Sequence, residues 1–337
     1  MLFLQNQAAE AYSTFRLKTS LQQVIEVQDV NELNTINIDS APIILGEGSN
    51  TIFLTEQSRP ILRFTSSQRT ILNETLDTVN LHVEAGHNWH QLVSWAVNSE
   101  LWGIENLALI PGSVGAAPIQ NIGAYGVEFA DICDYVDFYS WADQAVHRFS
   151  AAECQFGYRD SLFKQSLTSK GLVIAVGITL QKKPKRVLNY AGLDTVSDSA
   201  SLQEIYAQVI ATRQSKLPDY TKLANCGSFF KNPIISLGAY RSLQQQFPKI
   251  PGYIVADNVK VPAAWLIDQL GFKGYRLQDI GCYERQPLVL VNFGNGTAEA
   301  LLTLVNMIIG KVKDRYAILL EPEVRMLNKD GIAYVKS

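Results

Sequence analysis

No stretch of this 337-residue chain approaches the roughly 18 consecutive apolar residues of a membrane-spanning helix. Cysteine is scarce: Cys133, Cys154, Cys226 and Cys282 are scattered, with no CxxC pair. That argues against a zinc site or a disulfide framework and fits a reducing compartment. Histidine is equally rare, and His82, His87, His90 and His147 show no metal spacing beyond the His87/His90 pair. There is no basic excess, and a net charge of -3 argues against a protein that grips a nucleic-acid backbone. Local basic groups could still hold a small anion. The opening Met1-Leu2-Phe3-Leu4-Gln5 meets polar residues at once and lacks the basic start and long apolar core of a signal peptide, so a cytoplasmic enzyme is expected. Internal repeats and low-complexity tracts are also missing. So is the GxGxxG fingerprint: Gly46-Glu47-Gly48 begins like it, but Thr51 stands where the third glycine belongs.

What is present is ordinary globular composition, 47% apolar and 18% charged, in a chain long enough for two or three domains. In the first half Val79, Leu81, Val83 and Ala85 alternate as a strand, and Trp89, Leu92, Val93 and Ala96 follow helical spacing. Ile174, Val176, Ile178 and Leu180 alternate again. The second half opens with a helix from about Ser201 to Thr212, followed by the loop Asn225 to Pro233. A helix is expected over Ala263 to Leu270, closed by Gly271, and a buried strand over Pro287 to Val291. Leu301, Leu304, Val305, Ile308 and Val312 form the stripe of a long helix, and final strands are expected at Ala317 to Leu320 and Ile332 to Val335. The main boundary is expected between Pro184 and Pro218. Strands and helices without regular alternation predict an α+β protein.

Two glycine-rich stretches stand out. One is Gly46-Glu47-Gly48-Ser49-Asn50. The other runs from Pro111-Gly112-Ser113-Val114-Gly115-Ala116-Ala117-Pro118 through Gln120-Asn121-Ile122-Gly123-Ala124-Tyr125-Gly126. Phosphate oxygens need several donors close together, and backbone N–H groups supply them where no Cβ obstructs approach. The second stretch carries almost no charge, so backbone dipoles would have to hold a pyrophosphate there. The alternative is that both are turns.

With the blocks Gly46 to Asn50, Asn106 to Gly112, Pro118 to Asp131, Phe156-Gly157-Tyr158-Arg159-Asp160-Ser161, Gly227 to Pro233, Ala264 to Gly274 and Leu320 to Arg325 in this order, the chain resembles the UDP-N-acetylenolpyruvoylglucosamine reductase family. Leu188 to Leu193 resembles the tyrosine-bearing loop of its longer, type I members. The resemblance implies a vanillyl-alcohol oxidase/PCMH-type FAD-binding domain of two α/β subdomains, at 12–185, with the first subdomain completed by 324–337. It further implies a substrate-covering loop and linker at 186–204 and a C-terminal α+β substrate-binding domain at 205–323. It implies noncovalent FAD, NADPH as hydride donor, and a UDP-sugar substrate sharing one cavity with NADPH. A monomer with no nucleic-acid or membrane partner is expected. The implied reaction reduces the enolpyruvyl ether of UDP-N-acetyl-3-O-(1-carboxyvinyl)-glucosamine to UDP-N-acetylmuramate for peptidoglycan synthesis, with hydride from flavin N5. The alternative is another noncovalent flavin oxidoreductase or oxidase on the same fold.

The family's roles fall on particular residues here. Ser228 matches the proton donor, Arg159 the arginine that pairs with the substrate carboxylate, and Glu323 the C-terminal catalytic glutamate. Residue type alone would make Ser228 a turn residue, pair Arg159 with Asp160 and pair Glu323 with Arg325. Tyr190, Arg213, Lys216 and Asn232 match substrate-contacting positions, with Tyr253 a further candidate for stacking on uracil. FAD contacts are expected from Gly46, Gly48, Ser49, Asn50, Pro111, Gly112, Ser113, Gly115, Ala116, Ala117, Ile119, Asn121, Gly123, Tyr125 and Gly126. Ala116 and Ala117 stand where some relatives carry serines, which leaves that loop more dependent on backbone donors.

Overall fold

Alternating burial along Thr78–Glu84, with Val79, Leu81 and Val83 inward, makes that strand an interior member of a sheet. In the computed structural model, which describes residues 1–36, 42–329 and 331–332, it lies in a five-stranded sheet. The order is Ala145–Ser150, Cys133–Ser140, Gly171–Gln181, Thr78–Glu84, Arg69–Glu74, antiparallel throughout. Six α-helices occur among the described residues: α1 (Val30–Leu33), α2 (Trp89–Asn98), α3 (Leu202–Lys216), α4 (Leu237–Gln246), α5 (Ala263–Gln269) and α6 (Ala298–Tyr316).

The chain divides into two compact units. The first is Met1–Gln7, Leu21–Glu47 and Ser58–Gln214; the second is Ala8–Ser20, Gly48–Gln57 and Ser215–Ser337. The expected partition at 12–185, 186–204 and 205–323 follows roles rather than compactness and is taken up below as a proposal.

In the first unit, α2 starts at the N-cap Asn88, whose side chain accepts from the Gln91 N–H. It buries Trp89, Leu92, Val93, Ala96 and Val97 in the cluster that also holds the inward residues of the sheet and Leu202, Ile205 and Val209 of α3. Five such side chains contribute on the order of 10 kcal/mol before chain entropy is counted. A smaller sheet places Ser20–Val27, Ile61–Phe64 and Ile43–Ile44 in parallel, with Leu2–Ala8 at its edge.

In the second unit, Ala224–Ser228, Val289–Asn292, Ile280–Cys282 and Arg276–Leu277 form an antiparallel sheet. It shares a core with α5 and with the expected stripe of α6, Leu301, Leu304, Val305, Ile308 and Val312. Arg325–Asn328 pairs in parallel with Thr51–Phe53 and antiparallel with Gly331–Ile332; residues 333–335 of the expected last strand lie outside the described residues. The strand expected at Ala317 to Leu320 does not form. Helix α6 runs to Tyr316 and stops at Ala317, which takes the left-handed conformation. Ile318 and Leu320 then turn inward and Leu319 outward, which has a strand's period, but the segment joins no sheet.

Candidate active site

In the first unit the two glycine stretches meet. A Cβ on Gly46 would lie 2.6 Å from Ser113 Oγ, and one on Gly115 would lie 2.5 Å from the Ala85 Cβ. Glycine at both positions lets the chain approach itself that closely. The Gly115 N–H donates to the Ala85 carbonyl at 2.9 Å, and the Val114 N–H to the His87 carbonyl at 2.8 Å. Gly112 and Gly126 have positive φ, and so do Asn121, Tyr125 and Arg159. The small-residue stretch therefore folds as tight successive turns on the end of the strand Thr78–Glu84, with Ala116 exposed and Ala117 buried.

Asn121, expected at the cofactor, has its side chain committed inside the protein. It donates to Glu128 Oε2 at 2.7 Å and to the Gly157 carbonyl at 3.2 Å, and accepts from the Ala130 N–H at 2.9 Å. It thus ties its own turn to the turn that carries Arg159. The Arg159 guanidinium donates to the Gly123 carbonyl at 3.0 Å and lies 5.6 Å from the Tyr158 ring. The Asp160 carboxylate accepts from Gln165 Nε2 with both oxygens, at 2.9 and 2.8 Å.

Arg213, on α3, has a fully buried Nε with no hydrogen-bond partner among the described residues. Burial lowers its pKa; Tyr125 opposes that shift and the neighbouring Arg159 charge adds to it. The Tyr125 and Tyr190 rings meet edge to face, 5.5 Å apart at 74°, and burial raises the Tyr125 pKa while Arg213 lowers it. The structure thus gathers Arg159, Arg213, Tyr125 and Tyr190 into one cluster. Two guanidinium groups in one partly desolvated place repel each other and are costly without an anion between them. The Tyr190 loop is held by Gln208 and Thr212 of α3, both donating to the Gly192 carbonyl, while Tyr190 itself stays half-exposed.

In the second unit Ser228 ends its strand exposed, between buried Cys226 and the fully buried pair Phe229 and Phe230. The register against Val289–Asn292 shifts between Asn225 and Ser228, and Gly227 takes φ 68. Such an irregularity re-aims the following side chain. Asn225 Oδ1 supports it by accepting the Gly227 N–H at 2.9 Å. The segment then pairs with 321–323: the Glu323 N–H donates to the Phe229 carbonyl at 2.8 Å, and the Lys231 N–H to the Glu321 carbonyl at 2.9 Å. Asn50 brackets Glu323 from the other side, its Nδ2 donating to the Glu323 carbonyl at 3.2 Å and its carbonyl accepting from the Arg325 N–H at 3.1 Å. Ser228, Glu323 and Asn50 are therefore backbone neighbours. Glu321 faces Lys231 at 3.3 Å.

Gly48 takes φ 72, and a Cβ there would lie 2.0 Å from the Tyr12 carbonyl oxygen, so the first glycine loop packs on the segment Tyr12 to Thr14. Asn232 uses Oδ1 to accept the Ala263 N–H at the start of α5, a capping duty the sequence did not disclose. Lys216 and Tyr253 are exposed. Cys226 sits 3.6 Å from Thr14 Oγ1, and burial pushes its thiol up to about 12, which suits packing rather than reactivity. Among the described residues no cluster of three His, Cys, Asp or Glu could hold a metal ion.

Two residues, buried Asn106 and half-buried His90, received no role from the sequence. Asn106 donates to the Tyr125 and Val187 carbonyls, both at 2.8 Å, joining the turn before Gly126 to the segment before the Tyr190 loop. His90 accepts from the Leu109 N–H. Asn106 lies in the block Asn106 to Gly112, which was the available signal; His90 meets that block only in the fold. A cavity of about 570 Å³, lined by Phe138, Trp141, His147, Phe149 and Lys170 among others, opens on the hairpin Cys133–Ser150; none of its lining residues belongs to the cluster.

A buried guanidinium nitrogen that no described residue partners, beside a second guanidinium, fits an anionic ligand such as a nucleotide. A family model for a FAD binding domain matches residues 19–150, so fold and site together define a flavin-binding α+β protein. The model for the C-terminal domain of UDP-N-acetylenolpyruvoylglucosamine reductase matches residues 218–327. The reductase of that name from Pasteurella multocida is 43% identical, over 96% of this chain and 97% of its own. That from Pseudoalteromonas translucida is 41% identical, over 96% of each. The Thermus caldophilus enzyme, a solved structure, shares the fold with a TM-score of 0.69 at 24% identity, covering 96% of this chain and 98% of its own. The chain belongs to the UDP-N-acetylenolpyruvoylglucosamine reductase family.

Proposed function

We propose that this protein catalyses the NADPH-dependent reduction of the enolpyruvyl ether of UDP-N-acetyl-3-O-(1-carboxyvinyl)-glucosamine to UDP-N-acetylmuramate, in the cytoplasm, as a step of peptidoglycan synthesis. The observation that carries it is the Arg159/Arg213 pair, with the Arg213 Nε left without a partner among the described residues, in a chain of this family. Noncovalently bound FAD, when present, supplies hydride chemistry, taking hydride from NADPH and returning it from N5.

The chain's own residues do the rest. Residues 46–50 and 111–126 hold the cofactor, chiefly through backbone donors where glycine admits close approach. Asn121 contributes by fixing that turn, its side chain and its N–H, which donates to the Pro118 carbonyl at 3.4 Å, both being occupied within the fold. Arg159 pairs with the substrate carboxylate and holds the negative charge that grows there during reduction. Arg213 and Lys216 neutralise the diphosphate, and Tyr190 covers it and excludes water. Asn232 and Tyr253 complete substrate contacts. Ser228 delivers a proton from Oγ to the α-carbon, and Glu323 assists that transfer. Residues 12–185 act as the FAD-binding domain, completed by 324–337, with 186–204 as the covering loop and 205–323 as the substrate-binding domain. NADPH and the sugar nucleotide take turns in one cavity of a monomer.

An anaerobic experiment tests this. NADPH should bleach the flavin absorbance of the purified protein, and the enolpyruvyl substrate should restore it. Absorbance that stays bleached after substrate is added overturns the proposal.

A further inference from the structure

Two consecutive residues at the start of α2 grip the turn 107–112 at three points. The Trp89 N–H donates to the Gly112 carbonyl at 2.9 Å. The Trp89 indole Nε1–H donates to the Leu107 carbonyl at 3.1 Å. Between them the Leu109 N–H donates to His90 Nδ1 at 3.1 Å. A backbone N–H can only donate, so Nδ1 carries the lone pair and the neutral ring has its proton on Nε2.

Leu109 needs that acceptor. It sits at φ 57, in the left-handed region that residues with a Cβ avoid unless their surroundings over-determine it. The imidazole is itself fixed from the other side. It stacks on Tyr206 of α3 at 6.2 Å and 17°, and the Tyr206 hydroxyl bonds Ser94 Oγ at 2.9 Å. Burial disfavours a proton on His90, and the Arg213 guanidinium, two turns along α3 from Tyr206, adds to that, so Nδ1 keeps its lone pair.

We infer that His90 is a positioning residue for the cofactor turn: its Nδ1 fixes Leu109 in the left-handed conformation and thereby sets Ile110-Pro111-Gly112 where they meet the flavin nucleotide. This rests on the proposal that Pro111 and Gly112 hold FAD.

Two variants separate the acceptor from the ring. His90→Asn places Oδ1 near the position of Nδ1 but has nothing to stack on Tyr206. His90→Phe keeps a ring and loses the acceptor. The dissociation constant for FAD is read by serial dilution of each full-length holoprotein, following the fluorescence of released flavin, with a circular dichroism melt to confirm folding. His90→Asn should stay within about twofold of wild type and His90→Phe should weaken by roughly tenfold, the worth of one buried hydrogen bond. If His90→Phe does not fold, His90→Gln replaces it, since its side-chain oxygen reaches the Nε2 position instead, and the same loss is expected. Binding by the acceptor-free variant as tight as by His90→Asn overturns the inference. Wild type that holds no FAD would instead overturn the underlying proposal.

Discussion

Ser228 is exposed because its neighbours are not. Phe229 and Phe230 are fully buried, and the irregularity at Gly227 turns the intervening hydroxyl out of the alternation. A hydroxyl placed this way has no packing duty, so removing it should test chemistry alone. In Ser228→Ala, NADPH should still bleach the flavin at close to the wild-type rate. The return of absorbance on adding enolpyruvyl substrate should slow by about 10²- to 10⁴-fold, the range for a lost general acid. Equal slowing of both halves, measured by stopped flow, would make Ser228 structural. At this scale the sequence disclosed the residue types that the proposed chemistry needs, through the blocks around Arg159, Ser228 and Glu323. It hid the residues that hold them. Asn121 and Asn232 act through side-chain bonds to backbone groups distant in the chain, Asn225 through bonds to its own loop, and an asparagine looks the same in a turn, a cap or a binding loop.

The turn Glu105–Leu107 shows what an element adds. It packs Glu105 and Asn106 into the interior, where Glu105 accepts the Gly103 N–H at 2.7 Å. Burial raises the Glu105 pKa, opposed by backbone hydrogen bonds and the Lys185 charge. A carboxyl whose folded pKa lies above its unfolded value contributes stability below the unfolded pKa and loses it as pH rises through the folded one. Glu105→Gln removes that loss. The melting temperature of the variant relative to wild type should therefore move in the variant's favour as the pH is raised from about 4, the unfolded value of a glutamate. A difference that stays constant as the pH rises would contradict the assignment. Helices were the most legible elements, because α2, α5 and α6 each keep an apolar stripe at the helical period. The segment Ala317 to Leu320 was misread for the converse reason: apolar spacing describes which side chains face inward, and a strand also needs a hydrogen-bonding neighbour, which the left-handed stop at Ala317 leaves it without.

Across the whole molecule, compactness and sequence order diverge. The short segments Ala8–Ser20 and Gly48–Gln57 belong with the C-terminal unit, and Thr51–Phe53 pairs there with Arg325–Asn328. The first glycine loop is thus divided, with Gly46 and Glu47 in one unit and Gly48 to Asn50 in the other. FAD held by backbone donors and no covalent bond should leave intact when the protein is precipitated with acid; flavin absorbance that stays in the pellet would contradict noncovalent binding. The family and the α+β class were determined by the sequence itself, because ordered local blocks and the periods of helix and strand are properties of neighbouring residues. Only the tertiary structure decided that Arg213 is desolvated beside Arg159, that Asn50 brackets Glu323 and that His90 holds Leu109. Each depends on residues far apart in the chain lying within a few ångströms, and local pattern carries no information about that distance.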